Sequence, residues 1–461
     1  MKTDRLSANN YNVRKIRDRY LITLGHGNWI AMTENDFRQL QRNKVPEKIA
    51  NECENIGLLL TAKGARNTIE SYSKRTRFLH YPPSLHIIVP TLRCNLTCDY
   101  CHSKAKQETS REVDMNKEIA EETVNFIMDT KSKNITIEFQ GGEPLLNFEI
   151  VKHVVEYSQK KNESRKKEKQ KHIGYVIVSN LSLVTEEIIK FIKIHKIQVC
   201  TSIDGPKALH DKHRKCKEKG SYDHTIRCVD KLKDNNIQVS MLMTTTRDSL
   251  DYSKEIIDEY LKHEQNIIQL KPINWIGYAE NSKRYTPEEF IIFWKKALDY
   301  LIELNNKGTN IKERITTILL QKILTNTDPN FLDIRSPCGA IIGQVLYNYD
   351  GNIYCCDDGK IFDIFKVGNV FKENYTNILN KPETKALISS SINSQYLCSA
   401  CAYQPYCGTC PVANYAEEGT VVPKLYKNFR CKIRKAQFDY LFEMILFEPE
   451  KAKIIKKWIK D

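Results

Sequence analysis

Three cysteines within a short loop constrain this chain more than any other feature. They are Cys94, Cys98 and Cys101, and they follow an apolar run at 85–90 that ends in proline, which predicts a loop leaving a buried strand. Three thiolates without a comparable fourth ligand suit an iron–sulfur cluster whose last metal corner stays open for another ligand. A structural zinc site is the alternative, but it requires four protein ligands, and His102 abuts Cys101 too closely to be an easy fourth.

Strand-like and helical segments alternate between residue 85 and about residue 310. The six strand-like runs cover 85–90, 135–139, 173–179, 196–203, 237–243 and 266–271. Such alternation predicts parallel βα units with helices covering the sheet, and therefore a partial or full barrel with its functional groups in the loops after the strands. The lysine-rich stretch 159–172 interrupts the pattern; it is predicted to be a solvated, mobile loop or, alternatively, a docking patch for an acidic partner.

The first 80 residues predict a small separate module. Two apolar runs meet at Gly25-His26-Gly27, which is a hairpin signal, and a helical pattern begins at DFRQLQ. A hairpin followed by short helices suits either a peptide-docking module with an exposed edge strand or a simple N-terminal cap.

The net charge, the hydropathy and the N-terminal residues indicate which partners and which location to expect. Lys and Arg number 71 against 57 Asp and Glu, a formal net charge of +14, but the basic residues are scattered and no aromatic–basic motif is present, so nucleic acid is disfavoured as a partner. No apolar stretch approaches the ~18 residues of a membrane span, so no membrane partner is expected. The N-terminal MKTDRLSANN lacks the apolar run of a signal peptide, which predicts a cytoplasmic location.

Glycine-rich and polar motifs follow the predicted strands. The second strand runs into Gly141-Gly142-Glu143-Pro144, where paired glycines permit a ligand to approach the backbone and a carboxylate suits a cationic amino group. The third strand ends in Ser179-Asn180 and the fourth in Ser202-Ile203-Asp204-Gly205-Pro206. Polar side chains at the ends of apolar strands are costly unless they bond a ligand or the next turn, and a turn is the alternative for Asp204.

A second group of cysteines lies beyond residue 330. Its members are Cys338, Cys355, Cys356, Cys398, Cys401, Cys407, Cys410 and Cys431. This density exceeds that of ordinary buried cysteines, and disulfides are disfavoured in the cytosol, so metal binding is predicted. Zinc competes with iron–sulfur clusters for CxxC pairs of this kind.

Taken together, these motifs resemble those of the radical S-adenosylmethionine (SAM) enzymes that carry a C-terminal SPASM module. Cys-x3-Cys-x2-Cys with Tyr100 before the third cysteine resembles the family signature, and the GGEP motif follows one βα unit later, as it does in the family. The resemblance implies an α/β fold with an N-terminal α+β module at 1–80, a partial (β/α)6 TIM-like barrel at 81–310, a SPASM module at 311–435 and C-terminal helices at 436–461.

The resemblance also implies a SAM site. In the family, three cysteines hold a four-iron, four-sulfur cluster, SAM chelates the open iron, and reduction cleaves SAM to a 5′-deoxyadenosyl radical. The implied SAM contacts are Tyr100 at the adenine, Gly141, Gly142, Glu143 and Pro144 at the methionyl amino group, and Ser202 with Arg214 at the carboxylate. Asn180 stands where the family has Thr-Asn-Gly, but Leu181 replaces the glycine.

Two auxiliary four-iron, four-sulfur clusters are implied as well, which makes three clusters in all. The implied ligands are Cys398, Cys401, Cys407 and Cys431 for the outer cluster and Cys338, Cys356 and Cys410 for the inner one. Two residues separate Cys407 from Cys410 where the family has three. A fourth cysteine for the inner cluster is not evident, so either Cys355 substitutes or that corner is open or held by another ligand.

Asp357 follows Cys356 directly. In similar sulfatase-type maturases an Asp at this position is the general base, which makes Asp357 the predicted catalytic residue and Asp358 its substitute. Two adjacent carboxylates near an anionic cluster predict that the pKa of one of them is raised. The sequence Asp-Asp-Gly is also a good turn, which is the alternative interpretation.

The whole-length pattern is similar to that of the maturases of the His-Xaa-Ser peptide system. It implies an enzyme that uses the 5′-deoxyadenosyl radical to modify a side chain of a ribosomally synthesised peptide or protein. The implied partners are that substrate, an external electron donor such as a flavodoxin or ferredoxin and, as an open alternative, a second maturase. The rival interpretations are a radical SAM enzyme acting on nucleic acid and a non-catalytic metal–cysteine scaffold, which would leave the GGEP and Ser-Ile-Asp-Gly motifs without a role.

Overall fold

The N-terminal part contains the predicted hairpin and one further strand. A computed structural model describes residues 7–45, 47–216 and 220–460. The first elements are β1 (Asn12–Ile16), β2 (Arg19–Thr23), β3 (Trp29–Thr33), α1 (Glu34–Gln41), α2 (Glu47–Asn55) and α3 (Ala62–Thr76). The strands pair antiparallel in the order β1-β2-β3, and Gly27 takes a φ of 90° in the turn before β3, where glycine meets no Cβ penalty. The hairpin prediction is confirmed.

Strands and helices alternate over the next 220 or so residues. These elements are β4 (Leu85–Ile88), β5 (Arg93–Cys94), β6 (Leu96–Cys98), β7 (Lys106–Gln107), α4 (Lys117–Asp129), β8 (Asn134–Phe139), α5 (Phe148–Glu163), β9 (His172–Val178), α6 (Glu186–Ile194), β10 (Gln198–Ser202), α7 (Lys207–His213), β11 (Arg214–Cys216), α8 (Ser221–Asp234), β12 (Val239–Leu242), α9 (Ser253–Lys262), β13 (Ile267–Ile268) and α10 (Pro287–Asn306). Five of the six predicted strands are parallel neighbours in the order β12-β10-β9-β8-β4.

The C-terminal third adds three strands to the same sheet. Its elements are β14 (Lys312–Glu313), α11 (Arg314–Leu324), β15 (Gln344–Tyr347), β16 (Asn352–Tyr354), β17 (Lys366–Asn369), α12 (Tyr375–Asn380), α13 (Pro382–Ser390), α14 (Tyr396–Ser399), α15 (Pro411–Glu418), α16 (Phe429–Phe447) and α17 (Pro449–Lys457). β15 pairs parallel with β4, and β16 and β17 continue antiparallel, so the cysteine-rich segment is joined to the barrel strands by backbone hydrogen bonds.

The sixth predicted strand does not join the main sheet. β13 is only two residues long and pairs with β14 rather than with β12. An isolated bridge between Thr245 and Pro272 links the residues that follow the fifth and sixth predicted strands. Proline has no N–H with which to extend this bridge into a longer ladder. The barrel is therefore partial and open at this side.

The alternation of side chains along β8 separates the core from the barrel interior. Ile135, Ile137 and Phe139 are buried in the main hydrophobic core, whereas Glu138 and Gln140 lie on the opposite face of the strand. Burying each large apolar side chain contributes roughly 1.5–3 kcal/mol, which holds the helices against the outer face of the sheet.

The lysine-rich stretch 159–172 is not a loop throughout, so that prediction is wrong in part. α5 extends to Glu163, and β9 begins at His172. Lys171 is 8% exposed, and its Nζ donates hydrogen bonds to the carbonyls of Thr130 and Ser132, both at 2.5 Å. Among the described residues no helix is both long and apolar enough to cross a membrane.

Candidate active site and cluster sites

The loop after β4 brings the three N-terminal cysteines to one cavity. Cys94, Cys98 and Cys101 line a cavity of about 350 Å³. Burial raises the pKa of the Cys98 thiol to about 12 and that of Cys94 further still, so a bound metal would have to displace their protons. No fourth cysteine and no histidine lines this cavity in the described part of the chain, because the Nε2 of His102 lies 2.7 Å from Asp357 Oδ2 instead. A three-thiolate set fits an iron–sulfur cluster with one open iron better than structural zinc.

The GGEP segment packs directly against this loop. The N–H of Gly142 donates to the Thr91 carbonyl at 3.0 Å, and the N–H of Glu143 donates to the Arg93 carbonyl at 2.6 Å. A Cβ on Gly142 would lie 2.0 Å from the Arg93 carbonyl oxygen, so only glycine fits. Pro144 begins a short 3-10 helix behind the motif.

The carboxylate of Glu143 is occupied by protein donors rather than free for a ligand. It is 1% exposed and accepts hydrogen bonds from the N–H of Leu145 at 3.0 Å, the hydroxyl of Ser179 at 2.7 Å and the N–H of Asn180 at 2.8 Å. Glu143 therefore ties the end of β9 to the segment after β8. Contacts of this motif with the methionyl amino group of SAM stay a prediction.

Asn180 extends the same link to the cysteine loop. Its Nδ2 donates to Asn95 Oδ1 at 2.9 Å and lies 3.9 Å from Cys94 Sγ, and its Oδ1 accepts from the N–H of Ser182 at 2.9 Å. Leu181 has a φ of 62°, in the left-handed region that glycine adopts more easily, although it is fully buried. The backbone shape expected of Thr-Asn-Gly is thus present with leucine in the glycine position.

Asp204 contacts several residues of the predicted SAM site. Its carboxylate accepts a short hydrogen bond from the Tyr100 hydroxyl, lies 3.0 Å from Arg214 Nε and accepts from the N–H of Thr244 at 3.1 Å. Burial alone would raise the pKa of Asp204, but the Arg214 guanidinium lowers it overall. Asp204 therefore does more than close a turn, and sequence reasoning missed this role.

Arg214 lies where it can bind both protein and ligand. Its guanidinium is 5.3 Å from the centre of the Tyr100 ring, and its Nη1 is 4.0 Å from Cys98 Sγ. Tyr100 is 7% exposed and is not among the residues that line the cysteine cavity. Ser202 ends β10 and has no side-chain hydrogen bond to any described residue, so its hydroxyl remains free for a ligand. Contacts of these three residues with SAM stay predictions.

The eight C-terminal cysteines divide into two neighbourhoods. In the first, burial and the other thiols raise the pKa of Cys398 to about 11 and that of Cys407 to about 12. These two cysteines line a cavity of about 260 Å³ together with Cys401, Cys410 and Cys431. This neighbourhood contains the four cysteines predicted to hold the outer cluster.

The second neighbourhood holds the cysteines predicted for the inner cluster. Burial, followed by the charges of Cys410 and Cys356, raises the pKa of the Cys338 thiol, and Cys356 likewise interacts with Cys410. Cys355 is fully buried with its Sγ 3.7 Å from Cys356 Sγ, so it is close enough to compete for the open position. All cysteines of the chain lie in the described residues, and none forms a disulfide. The donor set fits two clusters, and the ligand assignment stays a prediction.

Asp357 links the two cysteine-bearing loops. Its Oδ2 lies 2.7 Å from His102 Nε2, and its other carboxylate oxygen accepts a short hydrogen bond from Lys360. The prediction of a raised pKa is wrong for Asp357: burial opposes ionisation, but Lys360 and His102 lower the pKa below its usual range. Asp358 instead accepts a hydrogen bond from Asn274 Nδ2 at 2.8 Å. His102 and Asn274 carried no signal in the sequence beyond their residue types.

Two sequence models of known families match this chain. The radical SAM superfamily matches residues 88–260, and the SPASM iron–sulfur cluster-binding domain matches residues 338–411. The fold and the two groups of thiols therefore define an iron–sulfur protein built from a radical SAM domain followed by a SPASM domain. The protein is a radical SAM enzyme, and its cofactors are SAM and iron–sulfur clusters.

Relatives and solved structures agree with these domains. A cysteine-type anaerobic sulfatase-maturating enzyme from Clostridium perfringens (strain 13 / Type A) is 26% identical over 379 residues, which cover 79% of this chain and 98% of the relative. A serine-type anaerobic sulfatase-maturating enzyme from Bacteroides thetaiotaomicron is 22% identical over 388 residues, covering 78% of this chain and 90% of the relative.

Two solved structures share the fold. Native anSMEcpe with bound AdoMet has a TM-score of 0.69 at 21% identity and covers 81% of this chain and 99% of that one. SuiB of Streptococcus suis bound to the precursor peptide SuiA has a TM-score of 0.55 at 13% identity, over 91% of this chain and 98% of that one.

Proposed function

We propose that this enzyme generates a 5′-deoxyadenosyl radical to modify a side chain of a ribosomally synthesised peptide or protein. The observation that carries the proposal is the contact between His102 and Asp357, at 2.7 Å, because it brings the loop of Cys101 and the loop of Cys356 to the same mouth of the barrel. A substrate segment entering this mouth would lie between the SAM site and the auxiliary thiols. The relatives that mature sulfatases and the structural neighbour bound to a precursor peptide support a peptide or protein substrate.

Different residues of the chain are proposed to bind SAM and to position the groups that bind it. When bound, SAM and its reduced cluster supply the radical that takes a hydrogen atom from the substrate. Ser202 and Arg214 are proposed to hold the SAM carboxylate, which is supported by the Ser202 hydroxyl having no hydrogen bond to a described residue and by the Arg214 guanidinium lying beside Cys98. Asp204 keeps Arg214 and Tyr100 in place, and the Glu143 carboxylate holds the GGEP backbone against the cysteine loop.

Asp357 is proposed as the residue that receives the substrate proton. Its neighbours Lys360 and His102 lower the pKa of Asp357 and so favour its ionised form in the absence of substrate. A substrate group that displaces one of them would restore basicity to the carboxylate, because loss of a neighbouring positive charge raises a carboxyl pKa.

The N-terminal module is proposed to dock the substrate peptide. β3 pairs only with β2 in the described part of the chain, so its outer edge offers backbone groups for an added strand. Ile69 and Tyr72 of α3, in the same module, are 69% and 45% exposed and are available for apolar contacts with a peptide. Ile69→Asp should weaken peptide binding by roughly tenfold, since a charge replaces one apolar anchor. Ile194→Asp, at a site 72% exposed on α6, is the matched control and should leave affinity unchanged.

The module is also fixed to the rest of the protein, which affects how it is tested. Arg75 is 5% exposed and donates to the carbonyls of His26, Pro405 and Lys322, and the Tyr406 hydroxyl donates to the Gly27 carbonyl at 2.9 Å. Deleting the module would expose this interface, so point variants on its free surface are the cleaner test. Equal peptide affinity for the Ile69 variant and the wild type would favour a plain cap.

The substrate and the partner proteins can be found by one experiment. Peptides encoded by short reading frames that adjoin the gene are co-expressed with the enzyme and with a flavodoxin or ferredoxin as the proposed electron donor, and their masses are measured. A mass change that depends on Cys94, Cys98 and Cys101 supports the proposal, and the similarity to the His-Xaa-Ser maturases makes a peptide of that system the first to test. RNA modified in place of any peptide would contradict it.

A further inference from the structure

The inner face of the sheet carries a carboxylate, that of Glu138, which the reaction described above does not use. Glu138 lies on β8 with its side chain on the inner face, and Gln140, two residues later on the same face, leads directly into Gly141. Two residues of a strand span roughly 6–7 Å, so Glu138 lies just below the segment proposed to hold SAM.

The strand neighbours of Glu138 are apolar, its side chain is partly buried, and the Asp357 carboxylate and the Cys200 thiol lie close enough to interact with its charge. Its neighbours in register on the adjoining strands are Ile87 of β4 and Val176 of β9. The one hydrogen bond to its carboxylate among the described residues comes from Gln140 Nε2, at 3.1 Å. No Lys, Arg or His of the described residues forms an ion pair with it. A carboxylate removed from water without a cation is costly, and a sequence that needed only packing would place an apolar residue here.

Four other acidic groups near the barrel mouth have partners among the described residues. Asp357 contacts Lys360 and His102, Asp204 contacts Arg214, and the Glu143 carboxylate accepts hydrogen bonds from three protein donors. Asp358 accepts a hydrogen bond from Asn274. Glu138 differs from these four because no strong donor among the described residues contacts its carboxylate.

We infer that Glu138 binds a basic side chain, lysine or arginine, of the substrate segment that enters the barrel, and so selects peptides with a positive charge at the modified site or beside it. This inference rests on the proposed function and narrows its substrate class. A substrate cation would donate hydrogen bonds to the Glu138 carboxylate and balance its negative charge, which no cation of the described residues does. Burial, and then the charge of Asp357, raises the pKa of Glu138 to about 7.

The test uses three mixtures of synthetic peptides of one length, randomised except for a central Lys, Gln or Glu. 5′-Deoxyadenosine release above the peptide-free rate and peptide mass changes are measured with the reconstituted holoenzyme. The wild type should respond to the Lys mixture at least about tenfold better than to the Glu mixture, the scale of one charge-assisted hydrogen bond. Glu138→Gln should remove this preference, and Glu138→Lys should reverse it. Glu156→Lys makes the same charge change on the exposed face of α5 and should leave the preference intact.

The outcomes separate the inference from the proposed function. Equal responses of the wild type to the Lys and Glu mixtures, with peptides modified, would overturn the role of Glu138 alone. An unchanged preference in Glu138→Gln would do the same, and this near-isosteric variant decides the matter if Glu138→Lys loses its iron or its fold. If no mixture changes SAM turnover or any peptide mass, both the proposed function and the inference fail.

Discussion

The close approach of Gly142 to the cysteine loop gives a prediction that can be worked out from distances. In Gly142→Ala the added Cβ would lie 2.0 Å from the carbonyl oxygen of Arg93 and 2.6 Å from the carbonyl carbons of Arg93 and Leu92. Ordinary van der Waals contact begins near ~3.5 Å, so the two segments must separate by more than ~1 Å. The atoms in the way belong to the backbone, which cannot rotate aside as a flexible side chain can.

That separation breaks contacts and displaces a cluster ligand. The hydrogen bonds from Gly142 to Thr91 and from Glu143 to Arg93 would lengthen, at a cost of about 0.5–1.5 kcal/mol each, in addition to roughly 1–3 kcal/mol for overpacking. Cys94 follows Arg93 directly and moves with it. A 1 Å misplacement in an active site can cost about 10²-fold in rate, so SAM cleavage should fall by about that factor.

The assay compares iron content and 5′-deoxyadenosine release in anaerobically reconstituted protein. Gly174→Ala is the matched control, because a Cβ there meets nothing closer than 3.8 Å and its strand lies in the same sheet. Circular dichroism and auxiliary iron would show that Gly142→Ala is still folded. A Gly142→Ala protein with full iron content and wild-type SAM cleavage would refute the proposal that this contact shapes the SAM-cleaving site.

Three further predictions follow from the site. Replacing Cys94, Cys98 and Cys101 together by Ala should abolish 5′-deoxyadenosine release and lower the iron content from roughly 12 to roughly 8 per chain at four per cluster; residual zinc with almost no iron in this triple variant would contradict the auxiliary clusters. Asp357→Asn should keep SAM cleavage and iron but cut peptide product by about 10²-fold, whereas wild-type product formation would leave Asp357 without a catalytic role. Glu138→Gln should raise the melting temperature at pH 8 but not at pH 4: a carboxyl whose pKa rises from 4.5 to about 7 on folding destabilises the fold only as it ionises, so the penalty is absent below pH 4.5 and reaches about 3 kcal/mol above pH 7 at ~1.4 kcal/mol per pKa unit. Equal melting temperatures of the wild type and the variant at pH 8 would show that the carboxylate is solvated.

Much of the fold was predictable because its signals are local. The alternation of strand-like and helical segments predicted the five parallel strands and the presence of helices between them, since each pattern depends on one segment of chain. The prediction for the sixth strand was wrong for a non-local reason. Its residues have the apolar character of a strand, but strand pairing depends on which other strand lies nearby, and β13 pairs with β14 instead of β12.

The cysteines of the candidate clusters could be grouped from spacing, because spacing within a loop limits how far apart the thiols can lie. Which carboxylates are free and which are occupied could not be read in that way. The sequence did not indicate that the Glu143 carboxylate accepts hydrogen bonds from three donors in the segments after β8 and β9. It predicted a raised pKa for one carboxylate of the pair Asp357 and Asp358, but Lys360 and His102 lower the pKa of Asp357.

The sequence by itself determined the strand and helix types over most of the barrel, the hairpin at Gly25–Gly27 and the thiol groups that define an iron–sulfur enzyme. Tertiary structure alone decided the contact of His102 with Asp357, which are 255 positions apart in the chain, and the isolation of Glu138 inside the barrel. The physical reason is that a residue's charge state and its hydrogen-bond partners depend on groups brought together across strands, whereas backbone conformation and ligand spacing depend chiefly on residues near in sequence.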